Sequence, residues 1–129
     1  MNRTRTRSAS PYEAEIGFCR AIRVGNRILV SGTAPVEPDG SSTPGDAEQQ
    51  ATRCLDIILA AIGQLGGTAA DVVRTRIYLV DPGDARAVGC AHGARFGAAA
   101  PASTMIVVGG LLRPEWRVEI EAEAEVHDA

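Results

Sequence analysis

Hydrophobic and polar positions alternate most regularly near the C-terminus. From residue 117 to 126, Val118, Ile120, Ala122, Ala124 and Val126 fall on one side, and Arg117, Glu119, Glu121, Glu123 and Glu125 on the other. A period of two is that of a β-strand. The preceding stretch from Pro101 carries the β-branched run of a partner strand, joined to it by a Gly- and Pro-containing loop. The row of glutamates has two readings. One is a solvated sheet surface; the other is a face turned to a cleft or subunit interface where arginines answer it. The segment from Asp71 to Val80 supplies candidates, with Val73, Thr75, Ile77 and Leu79 on one face and Arg74, Arg76 and Tyr78 on the other. Placed beside the glutamate strand, those arginines would fix its register.

Elsewhere the period changes. Ala51, Cys54, Leu55, Ile58, Ile62 and Leu65 recur at three- and four-residue steps, the stripe of an amphipathic helix. Asp46 and Gln49 stand in a capping-box relation before it, and Gly66-Gly67 ends it. Upstream, Gly25-Asn26 separates two short apolar runs, a hairpin signal. A second helix is expected after Pro82-Gly83, with Asp84 as its cap and Val88, Ala91 and Phe96 facing inward. The order ββ, helix, β, helix, ββ predicts an α+β domain whose mixed β-sheet carries two helices packed on one face. Residues 1–12 read as a flexible N-terminal tail, with 13–129 as the single domain.

Composition narrows the function classes. The 129 residues suffice for one core. Formal charge is −3; without Arg3, Arg5 and Arg7 of the tail, 13 basic residues become 10 against 16 acidic ones, a balance of −6. Such a body repels nucleic acid. There is no lysine, which excludes a Schiff-base lysine, a pyridoxal-phosphate anchor and a P-loop lysine. Cys19, Cys54 and Cys90 are unrelated in spacing and, with His92 and His127 far apart, form no metal motif. No metal or cofactor is expected, no membrane span is present, and three cysteines without a disulfide pattern point to the reducing cytoplasm. Cys90 reads as buried filler rather than a nucleophile.

Several segments in the same order resemble one family. The Gly17-Phe18-Cys19-Arg20-Ala21 segment is similar to its Gly-aromatic opening. The run Val30-Ser31-Gly32-Thr33-Ala34-Pro35 resembles its S-G-Q-x-P segment, with Thr33 in place of glutamine. Asp71 through Thr75, Tyr78, Asp81, Phe96, Pro101-Ala102 and Val118-Glu119-Ile120-Glu121-Ala122 complete the set. The chain is thus identified as similar to the Rid family, also called YjgF/YER057c/UK114. The resemblance implies a chorismate-mutase-like fold, a homotrimer with small-molecule clefts between subunits, and hydrolysis of reactive imines or enamines such as 2-iminobutanoate. The family's arginine after Pro-Ala holds the substrate carboxylate; here Ser103-Thr104 follow instead, and the helix asparagine of deaminating members is Gly89. A hydroxyl offers neither the charge nor the planar fork of a guanidinium.

The resemblance assigns Glu119 to positioning or activating water, and Phe18 to stacking on a planar ligand; near the start of a hairpin strand, Phe18 also reads as a core residue. Ser103 and Thr104 would hydrogen-bond a ligand, or else satisfy a strand end. Ser31, Gly32 and Thr33 would line the pocket, with Gly89 and His92 reaching it from the second helix; His92 also reads as a structural histidine. Arg20, Arg113 and Arg117 stand as replacements for the absent anchor. Three functions follow: an imine or enamine hydrolase of altered specificity, a trimeric binding protein without turnover and, least favoured, an endoribonuclease.

Overall fold

In the computed structural model, which describes residues 2–127, the charge ladder expected from the alternation is formed. The strand β6 (Val118–Glu125) lies antiparallel to β4 (Val72–Leu79), pairing Tyr78 with Glu119, Arg76 with Glu121 and Arg74 with Glu123. Arg76 reaches both Glu121 (3.6 Å) and Glu123 (3.3 Å), and the Tyr78 hydroxyl donates to Glu121 at 2.6 Å. On the other side of β6, β3 (Arg27–Thr33) brings Arg27 to Glu123 at 2.8 Å. One face of the sheet is therefore a lattice of opposed charges.

The opposite face of these strands is apolar and covered. Ile28, Val30, Ile77, Leu79, Val118, Ile120, Ala122 and Ala124 are buried against α2 (Ala47–Gln64) and α3 (Ala85–Phe96). The long helix has the expected capping box, with Asp46 accepting from the Gln49 amide at 2.9 Å and Gln49 accepting from the Asp46 amide at 2.8 Å. The hairpin closes at Gly25-Asn26, between Val24 of β2 (Ala21–Val24) and Arg27; Gly25, at φ 61°, supplies the left-handed turn residue. The fold is α+β. Among the described residues, six strands run in the order β1-β2-β3-β6-β4-β5, with β1 (Arg3–Thr6) at one edge and β5 (Ala102–Val107), parallel to β4, at the other.

Four expectations change. Within residues 1–12, Arg3–Thr6 form strand β1, paired antiparallel with β2. Backbone pairing at an edge needs no apolar side chains, so an Arg-Thr alternation leaves no hydrophobic signal. Tyr12–Ile16 make a short helix, α1, across the expected boundary; Met1, Asp128 and Ala129 lie outside the described residues. Val73 does not share the face of Thr75: a register shift between Val72 and Arg74 buries Val72 and exposes Val73. Asp84 makes no side-chain cap on α3. Its carboxylate instead accepts two hydrogen bonds from Arg117, at 3.0 and 2.9 Å, while Asp81 caps the preceding 3-10 turn. Among the described residues no helix is long and apolar enough to cross a membrane.

Candidate functional site

The strand β3 breaks its ladder where the sequence reads Ser31-Gly32. Pairing with β6 runs to Val30 opposite Ala122 and resumes at Thr33 opposite Ile120, leaving two residues against Glu121. Such a bulge bends the strand and re-aims its side chains. Glu119 uses the space: a Cβ placed on Gly32 would lie 2.6 Å from Glu119 Oε2. Glycine here admits the carboxylate. Beside it opens a cavity of about 280 Å³, walled by Phe18, Arg20, Ser31, Gly32 and Glu119 and closed by Tyr12, Arg53, Ile57, Leu112 and Trp116. The apolar wall is built on a second small core of Ala34, Val36 and Trp116.

Electrostatics divide this pocket unevenly. Burial pushes the Glu119 carboxyl above the usual carboxylate range; Arg20 pulls it back and Glu121 adds to the rise. Arg20 is 4 % exposed and Glu13 3 %. They face each other at 3.6 Å, and Glu13 also accepts from the Ser8 amide at 3.0 Å and from the Ser8 hydroxyl. The Arg20 guanidinium donates to Thr33 Oγ1 at 3.4 Å and sits 5.4 Å from the Phe18 ring centre, while its Nε and Nη2 have no hydrogen-bond partner. Burial lowers its pKa, opposed first by Glu13 and then by Glu119. Thr33 is itself fully buried and holds Arg20 from behind, rather than lining the cavity.

The remaining sequence-selected residues lie elsewhere. Register places Ser103 beside Thr75 and Thr104 beside Arg76, so the two hydroxyls point to opposite faces of β5. Ser103 turns to the helix side. There Thr75 Oγ1 is 2.8 Å from Ser103 Oγ and 2.8 Å from His92 Nε2. The His92 ring packs edge-on against Phe96, and burial lowers its pKa. Gly89 is one turn earlier on α3, with open space where a side chain would be. Thus Glu119, Phe18, Ser31 and Gly32 meet in one cavity, while Ser103 and His92 meet through Thr75 near the β5 edge, without a contact to Gly89 among the described residues. Cys90, expected as buried filler, is exposed on α3, and buried Cys54 is pushed far above an ordinary thiol by desolvation.

The three arginines raised as anchors also separate. Arg117 is taken by Asp84. Arg113 donates to the Gly40 carbonyl at 3.0 Å and lies over Trp116 and Tyr12. Only Arg20 of the three lines the cavity. Sequence reasoning did not pick Arg53, Ile57 or Trp116 for the site. The first two flank the apolar stripe of α2, and a lone tryptophan in a loop carries no periodic signal.

Comparison with known proteins agrees with this fold. The family model described as Endoribonuclease L-PSP matches residues 8–126. A 2-iminobutanoate/2-iminopropanoate deaminase of Escherichia coli is 32% identical over 115 residues, covering 86% of this chain and 89% of that protein. Among solved structures, the Mycobacterium tuberculosis Rv2704 protein of the YjgF/YER057c/UK114 family superimposes with a TM-score of 0.89 at 40% identity, over 97% of this chain and all (100%) of that one. The E. coli YjgF gene product gives 0.81 at 30% identity, covering 95% and 98%.

Proposed function

Because the chain belongs to the YjgF/YER057c/UK114 (Rid) family, we propose that it hydrolyses a reactive imine or enamine in clefts between the subunits of a homotrimer, with a specificity altered at Ser103. The observation carrying this reading is the Glu119 carboxylate, half-buried over Gly32 and poised for proton transfer by its raised pKa. In the reaction, a water beside Glu119 attacks the imine carbon. The carbon–oxygen bond forms as the C=N π pair moves to nitrogen; Glu119 takes the water proton and returns it to nitrogen. The carbinolamine's hydroxyl proton then passes through Glu119 to the nitrogen, the carbon–nitrogen bond breaks as the carbonyl forms, and ammonia leaves. Phe18 offers a ring face to a planar substrate.

Assembly supplies the rest of the cleft. Met105, Ile106 and Val107 are exposed on β5 and call for a cover. The proposal sets a second copy there with its Glu119 cavity facing this chain's Ser103. Three free cysteines fit a reducing cytoplasm. A binding protein without turnover is the second reading, favoured by serine where the deaminating relatives hold arginine.

Ammonia release from freshly generated imines tests the two. Wild-type turnover reduced about 10²- to 10⁴-fold by Glu119→Gln supports the hydrolase. No release from wild type or Ser103→Arg, with ligand still bound, favours the binding protein.

A further inference from the structure

Thr75 has one hydroxyl proton and two neighbours at 2.8 Å, Ser103 Oγ and His92 Nε2. It cannot donate to both. If the proton goes to Ser103, His92 must donate from Nε2, and Ser103 turns its own proton outward. If the proton goes to His92, Nε2 must be bare, and Ser103 spends its proton on Thr75. The three side chains therefore form one line with two directions, and the proton on His92 decides between them.

Geometry favours the outward direction. Thr75 Oγ1 stands in donor geometry to Ser103. Either the Nε2–H tautomer or the imidazolium of His92 sustains that arrangement, whereas only the Nδ1–H tautomer reverses it. Thr75 is fully buried, so water does not compete for its proton, and Ser103 is exposed with its hydroxyl at the end of the line. Consecutive donors polarise one another. Of the two arginines on the same helix, Arg86 lies in its first turn and Arg95, one turn from His92, is engaged with Asp56 at 3.2 Å; Arg76 across the sheet is held by Glu121 and Glu123. The end of the line is a donor without net charge.

Resting on the cleft reading above, we propose that His92, through Thr75, fixes Ser103 as a neutral hydrogen-bond donor, so that the substrate carries an uncharged carbonyl, an amide or ester, where relatives' substrates carry a carboxylate. His92 is then a positioning residue and Ser103 a substrate-binding one. A carboxylate would enter an acidic protein and sit with Glu119 in one cleft, where the buried cation, Arg20, already answers Glu13 at 3.6 Å.

Two measurements test this. Nitrogen-resolved NMR of the imidazoles, with the His92 signals identified by their loss in His92→Gln, should show a proton on Nε2; a bare Nε2 in the unliganded protein overturns the proposal. Calorimetry with the stable ketone analogues 2-oxobutanamide and 2-oxobutanoate should find the amide bound about tenfold tighter. That preference should vanish in Ser103→Ala, shrink in His92→Phe and reverse in Ser103→Arg. Tighter binding of the acid by wild type overturns the inference while leaving the cleft; binding of neither overturns the cleft reading and the inference with it.

Discussion

The Glu119 cavity and the β5 edge are built to different degrees of completion. In the cavity, a bulge, a glycine and a buried ion pair hold the carboxylate from several sides, and two aromatic residues in the wall, Tyr12 and Trp116, pack edge to face. At the edge, all of Ala102–Val107 is exposed, and its ladder partner is β4 alone. Among the described residues, Thr75 is the side-chain hydrogen-bond partner of Ser103, which is otherwise exposed. On the proposed function, the contrast is between a reacting half of the cleft finished within one chain and a selecting half left to a neighbour.

The largest effect expected on assembly attacks the unfinished half. Ile106, 47% exposed, lies on the charged face beside Tyr78. In the isolated chain Ile106→Asp removes little packing. In an interface its carboxylate must be desolvated without a partner, at on the order of 3 kcal/mol. The variant should sediment as monomer and lose about 100-fold in turnover, while its far-ultraviolet circular dichroism matches wild type. Retention of the wild-type assembly would remove β5 from the subunit interface.

Much of the fold was legible because it rests on periodic signals. The glutamate strand alternates without a break, so Arg74 and Arg76 could be placed opposite it from side-chain parity, and α2 announced both its cap and its stripe. Failures fall where structure depends on something other than period. The pairing of Arg3–Thr6 is made by backbone, and the displacement of Val73 by a ladder irregularity that parity cannot foresee. Glu13 and Arg20 look like surface charges in sequence; only the docking of α1 makes them a buried pair. The site was legible by half. Glu119, Gly32, Ser31 and Phe18 followed from the family resemblance, whereas the line from Ser103 through Thr75 to His92 joins residues 28 and 17 positions from Thr75. No local motif spans it.

A smaller change sharpens the finished half. Gly32 does not need its glycine for a left-handed backbone; it needs it for the carboxylate above. Because the atoms met are the far end of a flexible side chain, Gly32→Ala should displace Glu119 rather than unfold the strand. A shift near 1 Å at a reacting group costs activity steeply; about a tenfold fall in kcat is expected, with Tm within about 3 °C of wild type. A large loss of Tm with unchanged kcat in the folded fraction would mean the strand yields and the carboxylate does not.

The smallest effect separates the cost of holding Glu119 from its use. Burial and Glu121 raise its pKa, and Arg20 alone opposes them. Since the folded-state value exceeds that of the unfolded chain, the native state holds the extra proton just above the ordinary carboxylate range. Its contribution to stability is fully present below the unfolded value and is lost as pH rises through the folded one. Glu119→Gln keeps the shape and never ionises. Measured from pH 4 to pH 8, its Tm should therefore rise relative to wild type as pH increases, with the gap closing again at pH 4, while turnover is reduced throughout. A variant less stable than wild type at pH 8 would mean that the attraction of Arg20 outweighs desolvation, making Glu119 a structural partner of Arg20 before it is a base.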